Sequence, residues 1–110
     1  MKTIAIIPAR YASSRFPGKP LALLNGKPMV MWVYDAVCSS NLFDKVVVAT
    51  DDKRIFDTVQ EMKGIAMMTS ENHSCGTQRC EEVVQKLYSI GEEYDVVVNV
   101  QGDEPLIAKE

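Results

Sequence analysis

A basic segment, "IPARYASSRFPGKPL", occupies residues 7–21 and contains three cations, Arg10, Arg15 and Lys19, with no acidic residue. Guanidinium and ammonium groups donate charge-assisted hydrogen bonds that suit phosphate oxygens. Gly18 lets the backbone approach a ligand closely. The segment therefore predicts a loop that holds a nucleoside triphosphate by its phosphates. The alternative is an ordinary solvated loop.

This loop is not one of the common nucleotide-binding motifs. It lacks the glycine spacing of the dinucleotide fingerprint. Pro20 follows Lys19, where the classical phosphate loop requires a hydroxyl residue to bind magnesium. Phosphate binding here would depend on the basic side chains.

A second polar segment, "NVQGDEP", spans residues 99–105 and supplies carboxylates. Proteins commonly hold Mg²⁺ with one or two carboxylates together with substrate phosphates. Asp103 and Glu104, facing the basic loop, would complete an arrangement in which cations and a metal share the charge of a triphosphate. The alternative is a simple turn, because Gly, Asp and Pro are turn formers.

A third polar segment, "ENHSCGTQR", spans residues 71–79. Ser74, Gly76 and Thr77 lie at the predicted start of a helix. Backbone N–H groups, a hydroxyl and the helix dipole can hold an anion or a base edge there. Helix capping alone would explain the same residues.

The elements that must position these segments are four strands and three helices. Continuous apolar runs, typical of strands buried on both faces of a parallel sheet, occur at residues 4–7, 46–49, 65–68 and 96–100. Helical spacing predicts three sets of inward-facing residues: Met29, Trp32, Val33, Ala36 and Val37; Ile55, Val59 and Met62; and Cys80, Val83, Val84, Leu87 and Tyr88. Pro28 is predicted to open the first helix, Asp51 to cap the second, and Gly64 and Gly91 to follow the second and third.

Alternating strands and helices predict an α/β fold: one nucleotide-binding domain over residues 1–110, with a Rossmann-like, mainly parallel sheet and flanking helices. All three polar segments would then follow strands at the carboxyl edge of the sheet, where such folds bind ligands. The last strand would be poorly covered on one side, which indicates part of a larger domain or a chain that pairs with a partner.

Composition limits the partners. The net charge is −3, yet five basic residues precede the first acid, Asp35. A local basic loop in a weakly acidic protein favours a small anionic ligand over nucleic acid. No apolar stretch is long enough to cross a bilayer, and the amino-terminal run is too short for a secretory signal, so a cytoplasmic protein is expected.

Together these segments, with "VVVATDDKRI" between them, resemble the 3-deoxy-D-manno-octulosonate (Kdo) cytidylyltransferases, or CMP-Kdo synthetases. The match runs through nearly all of the chain in the same order. The resemblance implies a nucleotide-diphospho-sugar transferase type of fold and Mg²⁺-dependent activation of Kdo for lipopolysaccharide synthesis. The Kdo hydroxyl would attack the α-phosphorus of CTP and release pyrophosphate. CMP-sialic acid synthetases share the opening pattern more loosely.

The resemblance also implies site residues, which fall into three groups. Arg10, Lys19 and Asp103 would be catalytic, with Asp103 as the magnesium ligand. Substrate binding would involve Ala9, Ser14, Arg15, Ser74, Cys75, Gly76, Thr77, Arg79 and Gln101.

Two features depart from the family pattern. Cys75 replaces a usual serine and Gln78 a usual acid, which would weaken nucleotide binding if those positions touch the ligand. Family members are also longer, and their later part supplies most of the sugar pocket and the contacts of a homodimer. The competing interpretations are a non-catalytic nucleotide-binding module and a fragment that is unable to fold alone.

Overall fold

The computed structural model describes residues 2–11, 19–70 and 76–100. In chain order the elements are β1 (Thr3–Ala9), a 3₁₀ helix (Lys19–Leu21), β2 (Leu23–Leu24), β3 (Lys27–Pro28), α1 (Met29–Ser39), β4 (Lys45–Thr50), α2 (Lys53–Glu61), β5 (Ala66–Met68), α3 (Gly76–Ser89) and β6 (Val96–Asn99). The predicted α/β class is confirmed. None of the helices in these ranges is long and apolar enough to span a bilayer.

Four parallel strands form the main sheet in the order β5-β4-β1-β6. β1 is central, with Ala9 opposite Thr50 of β4 and Thr3 opposite Val96 of β6. Its apolar run is continuous because both faces are covered. Ala5 and Ile7 join the core on one face, whereas Ile4 and Ile6 join the core on the other.

The helices divide between these two faces. α1 and α2 contribute to the core that contains Ile7, and α3 contributes Cys80, Val83 and Leu87 to the opposite core. α1 and α2 connect strands that progress outward from β1, whereas α3 returns the chain from β5 to the far side of β1. Right-handed crossovers in opposite directions place their helices on opposite faces.

Several predicted helix positions need correction. Tyr88 and Met62, each at the carboxyl-terminal end of its helix, are 62% and 43% exposed. Ala36 is also exposed, since the buried stripe of α1 runs instead through Val30, Met31, Val33, Tyr34 and Val37. Pro28 is the N-cap of α1, with an extended ψ of 142°, and not its first helical residue.

A short hairpin, β2–β3, was not predicted. Asn25 and Gly26 form its turn with φ of 54° and 79°, which fits the two positive φ values of a type I′ turn. The Asn-Gly pair was therefore a usable sequence signal. The hairpin covers Trp32, whose indole Nε1 donates to the carbonyl of Leu24 at 2.8 Å, while the Lys27 ammonium lies over the ring. Trp32 is thus partly buried, with Leu24 and Lys27 of the hairpin as its contacts.

β6 lies at one edge of the described sheet and is poorly covered, as predicted. Val96 and Val97 are 37% and 41% exposed. A groove of about 530 Å³ lies between α3 and β6 and is lined by Cys80, Glu81, Val84, Gln85, Val97 and Asn99.

Candidate functional site

The strand order places the topological switch point between β1 and β6. The chain moves from β1 through β4 to β5 on one side and then returns to β6 on the other. Loops that leave two adjacent parallel strands in opposite directions open a crevice at the carboxyl edge. Arg10 directly follows β1, and the "QGDEP" segment follows β6 in the sequence. The basic and the acidic candidate segments thus both begin at this switch point.

Arg10 is the candidate residue whose environment is best defined. Ala9 before it is buried and paired with Thr50, so the main chain is held up to the edge of the sheet. The Arg10 side chain is exposed, and among the described residues no carboxylate lies within ion-pair distance of it. An exposed guanidinium without a countercharge is available to an anion.

The other predicted site residues are less fully described. Lys19 begins the 3₁₀ helix, and Gly76 and Thr77 open α3, which confirms the predicted helix start. Six lie outside the described residues: Ser14, Arg15, Ser74, Cys75, Gln101 and Asp103. Their roles, including that of Asp103 as a magnesium ligand, remain predictions. Within the described ranges no three His, Cys, Asp or Glu side chains cluster as metal ligands.

Arg79 is almost fully buried, with 1% of its surface exposed. Its Nη1 donates to the Thr69 hydroxyl at 2.5 Å and to the Ser70 carbonyl at 3.2 Å, and its Nη2 lies 3.5 Å from the Asp51 carboxylate. Nε has no acceptor among the described residues. The guanidinium thus joins the ends of β4 and β5 from inside the protein. Its substrate-binding role, implied by the resemblance, stays a prediction.

α3 is fixed to the segment after β5 by a polar row on one side of the helix. Besides Arg79, the carboxylate of Glu82 accepts from the Ser70 backbone N–H at 2.9 Å, and the Lys86 ammonium donates to the Met68 carbonyl at 2.8 Å. The three residues are spaced at i, i+3 and i+7, so they share a face of the helix. This row sets where the amino terminus of α3 lies relative to the sheet edge.

Asp52, and not Asp51, caps α2, so that prediction was wrong. Its carboxylate accepts from the backbone N–H groups of Arg54 at 2.8 Å and Ile55 at 3.4 Å. Asp51 turns toward Arg79 instead. The hydrogen bond from the Arg54 side chain, followed by the backbone bonds, lowers the pKa of Asp52 below the usual aspartate value.

Sequence reasoning missed an arginine stacked beside the basic loop. The Arg54 guanidinium carbon lies 3.4 Å from the centroid of the Tyr11 ring. Arg54 also donates to both carboxylate oxygens of Asp52, from Nε at 3.1 Å and from Nη2 at 2.8 Å. The sequence signal that could have drawn attention to Arg54 was its position two residues after Asp52, an aspartate able to cap the helix.

The fold and the sheet edge define a Rossmann-like α/β domain with an exposed arginine at its switch point, which has no carboxylate partner in the part of the chain that the structure describes. The family model described as Cytidylyltransferase matches residues 4–110. The chain belongs to the cytidylyltransferase family.

Relatives and a solved structure agree with this assignment. The chain is 58% identical to the 3-deoxy-manno-octulosonate cytidylyltransferase of Parabacteroides distasonis and 54% identical to that of Thermodesulfovibrio yellowstonii, over its whole length in both cases. It spans only 42% and 44% of those proteins. The structure of CMP:2-keto-3-deoxy-manno-octonic acid synthetase complexed with CTP superposes with a TM-score of 0.86 at 44% identity. That match covers 97% of this chain and 42% of the other.

Proposed function

We propose that this chain is the CTP-binding part of a 3-deoxy-manno-octulosonate cytidylyltransferase, which converts CTP and Kdo into CMP-Kdo and pyrophosphate for lipopolysaccharide synthesis. The observation that carries the proposal is the position of Arg10. It is an exposed cation, without a carboxylate partner among the described residues, at the switch point of the sheet. The relatives' names and the CTP complex of the structural neighbour supply the identity of the nucleotide and sugar.

Arg10 binds the triphosphate in this proposal, and Arg15 and Lys19 add cations from the same loop of the sequence. Guanidinium groups pair with phosphate oxygens through two parallel hydrogen bonds, which fix orientation as well as charge. The amino terminus of α3, held by Arg79 and Glu82, presents backbone donors for the nucleotide at the same edge of the sheet.

Magnesium would be held by Asp103 together with phosphate oxygens, because a carboxylate is the hard oxygen donor that Mg²⁺ prefers. When bound, the ion would neutralise charge on the triphosphate and on the departing pyrophosphate. β6 lies next to β1 in the sheet and ends at Asn99, four residues before Asp103 in the sequence.

The transfer forms one phosphorus–oxygen bond and breaks another. The anomeric hydroxyl of Kdo attacks the α-phosphorus of CTP, its proton leaves to solvent or a base, and pyrophosphate departs with the electrons of the broken bond. Arg10 would stabilise the negative charge that grows on the leaving group. Because CTP and Kdo are both highly polar, we propose that the reaction takes place in the cytoplasm. We also propose that the whole enzyme is a homodimer.

The test is CTP binding and pyrophosphate release by this polypeptide in the presence of Mg²⁺ and Kdo. Arg10→Ala should weaken CTP binding by about ten- to a hundredfold, as loss of a charge-assisted phosphate contact predicts. The CTP affinity of Arg10→Lys should lie between those of the parent and Arg10→Ala, because lysine keeps the charge but loses the paired hydrogen bonds.

Lys53→Ala is the matched control, because Lys53 is an exposed cation on α2 that pairs with Asp57. Equal CTP affinities for the parent and Arg10→Ala would refute the proposed role of Arg10. CTP binding without pyrophosphate release would contradict catalysis by this polypeptide and leave a nucleotide-binding module.

A further inference from the structure

We propose that Arg54 is a positioning residue for Arg10 and acts through the ring of Tyr11. This inference rests on the proposed function, because it concerns how the phosphate-binding arginine is held. The observations behind it are the stack between Arg54 and Tyr11 and the paired hydrogen bonds that orient Arg54 from Asp52.

The first step is that Arg54 is itself held in one orientation. Asp52 accepts from Nε and Nη2 of Arg54 at 3.1 and 2.8 Å, and two bonds fix the plane of the guanidinium. Asp52 is fixed in turn, because its backbone N–H donates to the Thr50 hydroxyl at 3.1 Å and its carboxylate caps α2. Thr50 is fully buried at the end of β4.

The second step is that this rigid plane covers Tyr11. The 3.4 Å distance from the guanidinium carbon to the ring centroid is van der Waals contact, the geometry of a stacked cation–π pair. Tyr11 also packs against the core that α1 and α2 share with the sheet. The ring is thus held both by the core and by a guanidinium anchored to β4.

The third step concerns Arg10, which lies between two fixed residues. Ala9 is held by pairing with Thr50, and Tyr11 by the stack with Arg54. The direction in which the chain leaves β1, and with it the base of the exposed Arg10 side chain, is therefore set from β4 and α2. Pre-ordering the backbone reduces the entropy lost when Arg10 binds an anion.

The experiment compares Arg54→Met, Arg54→Lys, Tyr11→Leu and Tyr11→Phe with the parent, and uses the exposed neighbour Lys53→Met as the control. The first readout needs no ligand: ¹⁵N relaxation order parameters at the amides of Arg10 and Tyr11. They should fall from about 0.85 in Arg54→Met and Tyr11→Leu, stay near the parent value in Lys53→Met, and fall less in Tyr11→Phe, which keeps the ring and loses only the hydroxyl that interacts with Arg54.

The second readout is the dissociation constant for CTP. Arg54→Met, Arg54→Lys and Tyr11→Leu should each raise it about fivefold, because lysine can neither stack as a plane nor donate two parallel bonds. Tyr11→Phe should bind CTP more tightly than Tyr11→Leu, because it keeps the stacked ring and loses only the hydroxyl. The double variant Arg54→Met with Tyr11→Leu should be no weaker than either single variant, since both remove one stack.

The outcomes separate the competing explanations. Additive losses, with Arg54→Lys close to the parent, would mean that Arg54 contacts the phosphates itself, and would overturn the positioning role. Unchanged order parameters in Arg54→Met would overturn it as well. Failure of the parent to bind CTP would count against the proposed function alone, and the order parameters would still decide the role of Arg54.

Discussion

Nη1 of Arg79, a side chain that is only 1% exposed, donates to the Thr69 hydroxyl at 2.5 Å. The same guanidinium reaches Asp51, so one side chain of α3 ties together the segments that follow β4 and β5. Those segments form one side of the carboxyl edge on which the proposed site is built.

Replacing Arg79 by methionine should lower the free energy of unfolding by about 2–3 kcal/mol, because Asp51, Thr69 and the Ser70 carbonyl lose their shared donor. Urea denaturation followed by circular dichroism measures the change. Lys86→Met is the control: Lys86 belongs to the same polar row but is 47% exposed, so it should cost well under half as much. Equal losses for the two variants would contradict this account.

The stabilisation from Asp52 should depend on pH. Its pKa is lowered in the folded protein, chiefly by the Arg54 hydrogen bond, so the charged form contributes stability above the ordinary aspartate value of about 3.9. That contribution is lost as the pH falls through the lowered pKa. The parent should therefore be more stable than Asp52→Asn at pH 7, and the difference should shrink steadily below pH about 4.

Chemical denaturation at several pH values between 7 and 3 provides this measurement. Asp57→Asn, a half-exposed change on the same helix, serves for comparison. A difference between the parent and Asp52→Asn that stays constant over the whole range would show that the charge of Asp52 is not what stabilises the cap.

Gly64 should not tolerate a methyl group. A Cβ built there would lie 2.8 Å from Cγ1 and 3.3 Å from the carbonyl oxygen of Val59, and 3.4 Å from the Tyr34 ring. Gly64→Ala should therefore cost about 1–3 kcal/mol of unfolding free energy by overpacking.

A double-mutant cycle checks the cause. Val59→Ala removes the side chain that the new methyl group would meet, so the combined variant should cost less than the two single losses added together. Strict additivity would place the cost of Gly64→Ala somewhere other than this contact.

Lys63 occupies a left-handed conformation, with φ of 69°, just after α2. Glycine adopts this region without steric cost, so Lys63→Gly should raise the free energy of unfolding by about 0.5–1 kcal/mol. Glu61→Gly, at the last residue of α2, should lower it by up to about 1 kcal/mol. Thermal unfolding of both variants shows whether each substitution raises or lowers the stability. A lower melting temperature for Lys63→Gly than for the parent would contradict the prediction.

Gly64 and Lys63 also show where sequence reasoning reaches its limit. The sequence suggested Gly64 as the residue that ends α2, because glycine is common there. The left-handed residue is Lys63 instead, and Gly64 is required by the close approach of Val59. Only the packed structure distinguishes these two reasons for a glycine. Gly91, with φ of 92° after α3, fits the sequence prediction directly.

The sequence by itself determined the alternation of strands and helices, because apolar periodicity reports which faces are buried, and with it the parallel sheet whose carboxyl edge carries Arg10. It also carried enough family pattern to suggest a cytidylyltransferase. The tertiary structure decided that Arg79 is buried against Thr69 and Asp51, that Asp52 caps α2, and that Arg54 stacks on Tyr11. The contacts of Arg79 and of Arg54 with Tyr11 join residues from different strand ends, and their distances depend on how the helices pack on the sheet, which no local pattern encodes. The cap itself is local, but the choice between two adjacent aspartates is seen only in the structure, where Asp51 faces Arg79.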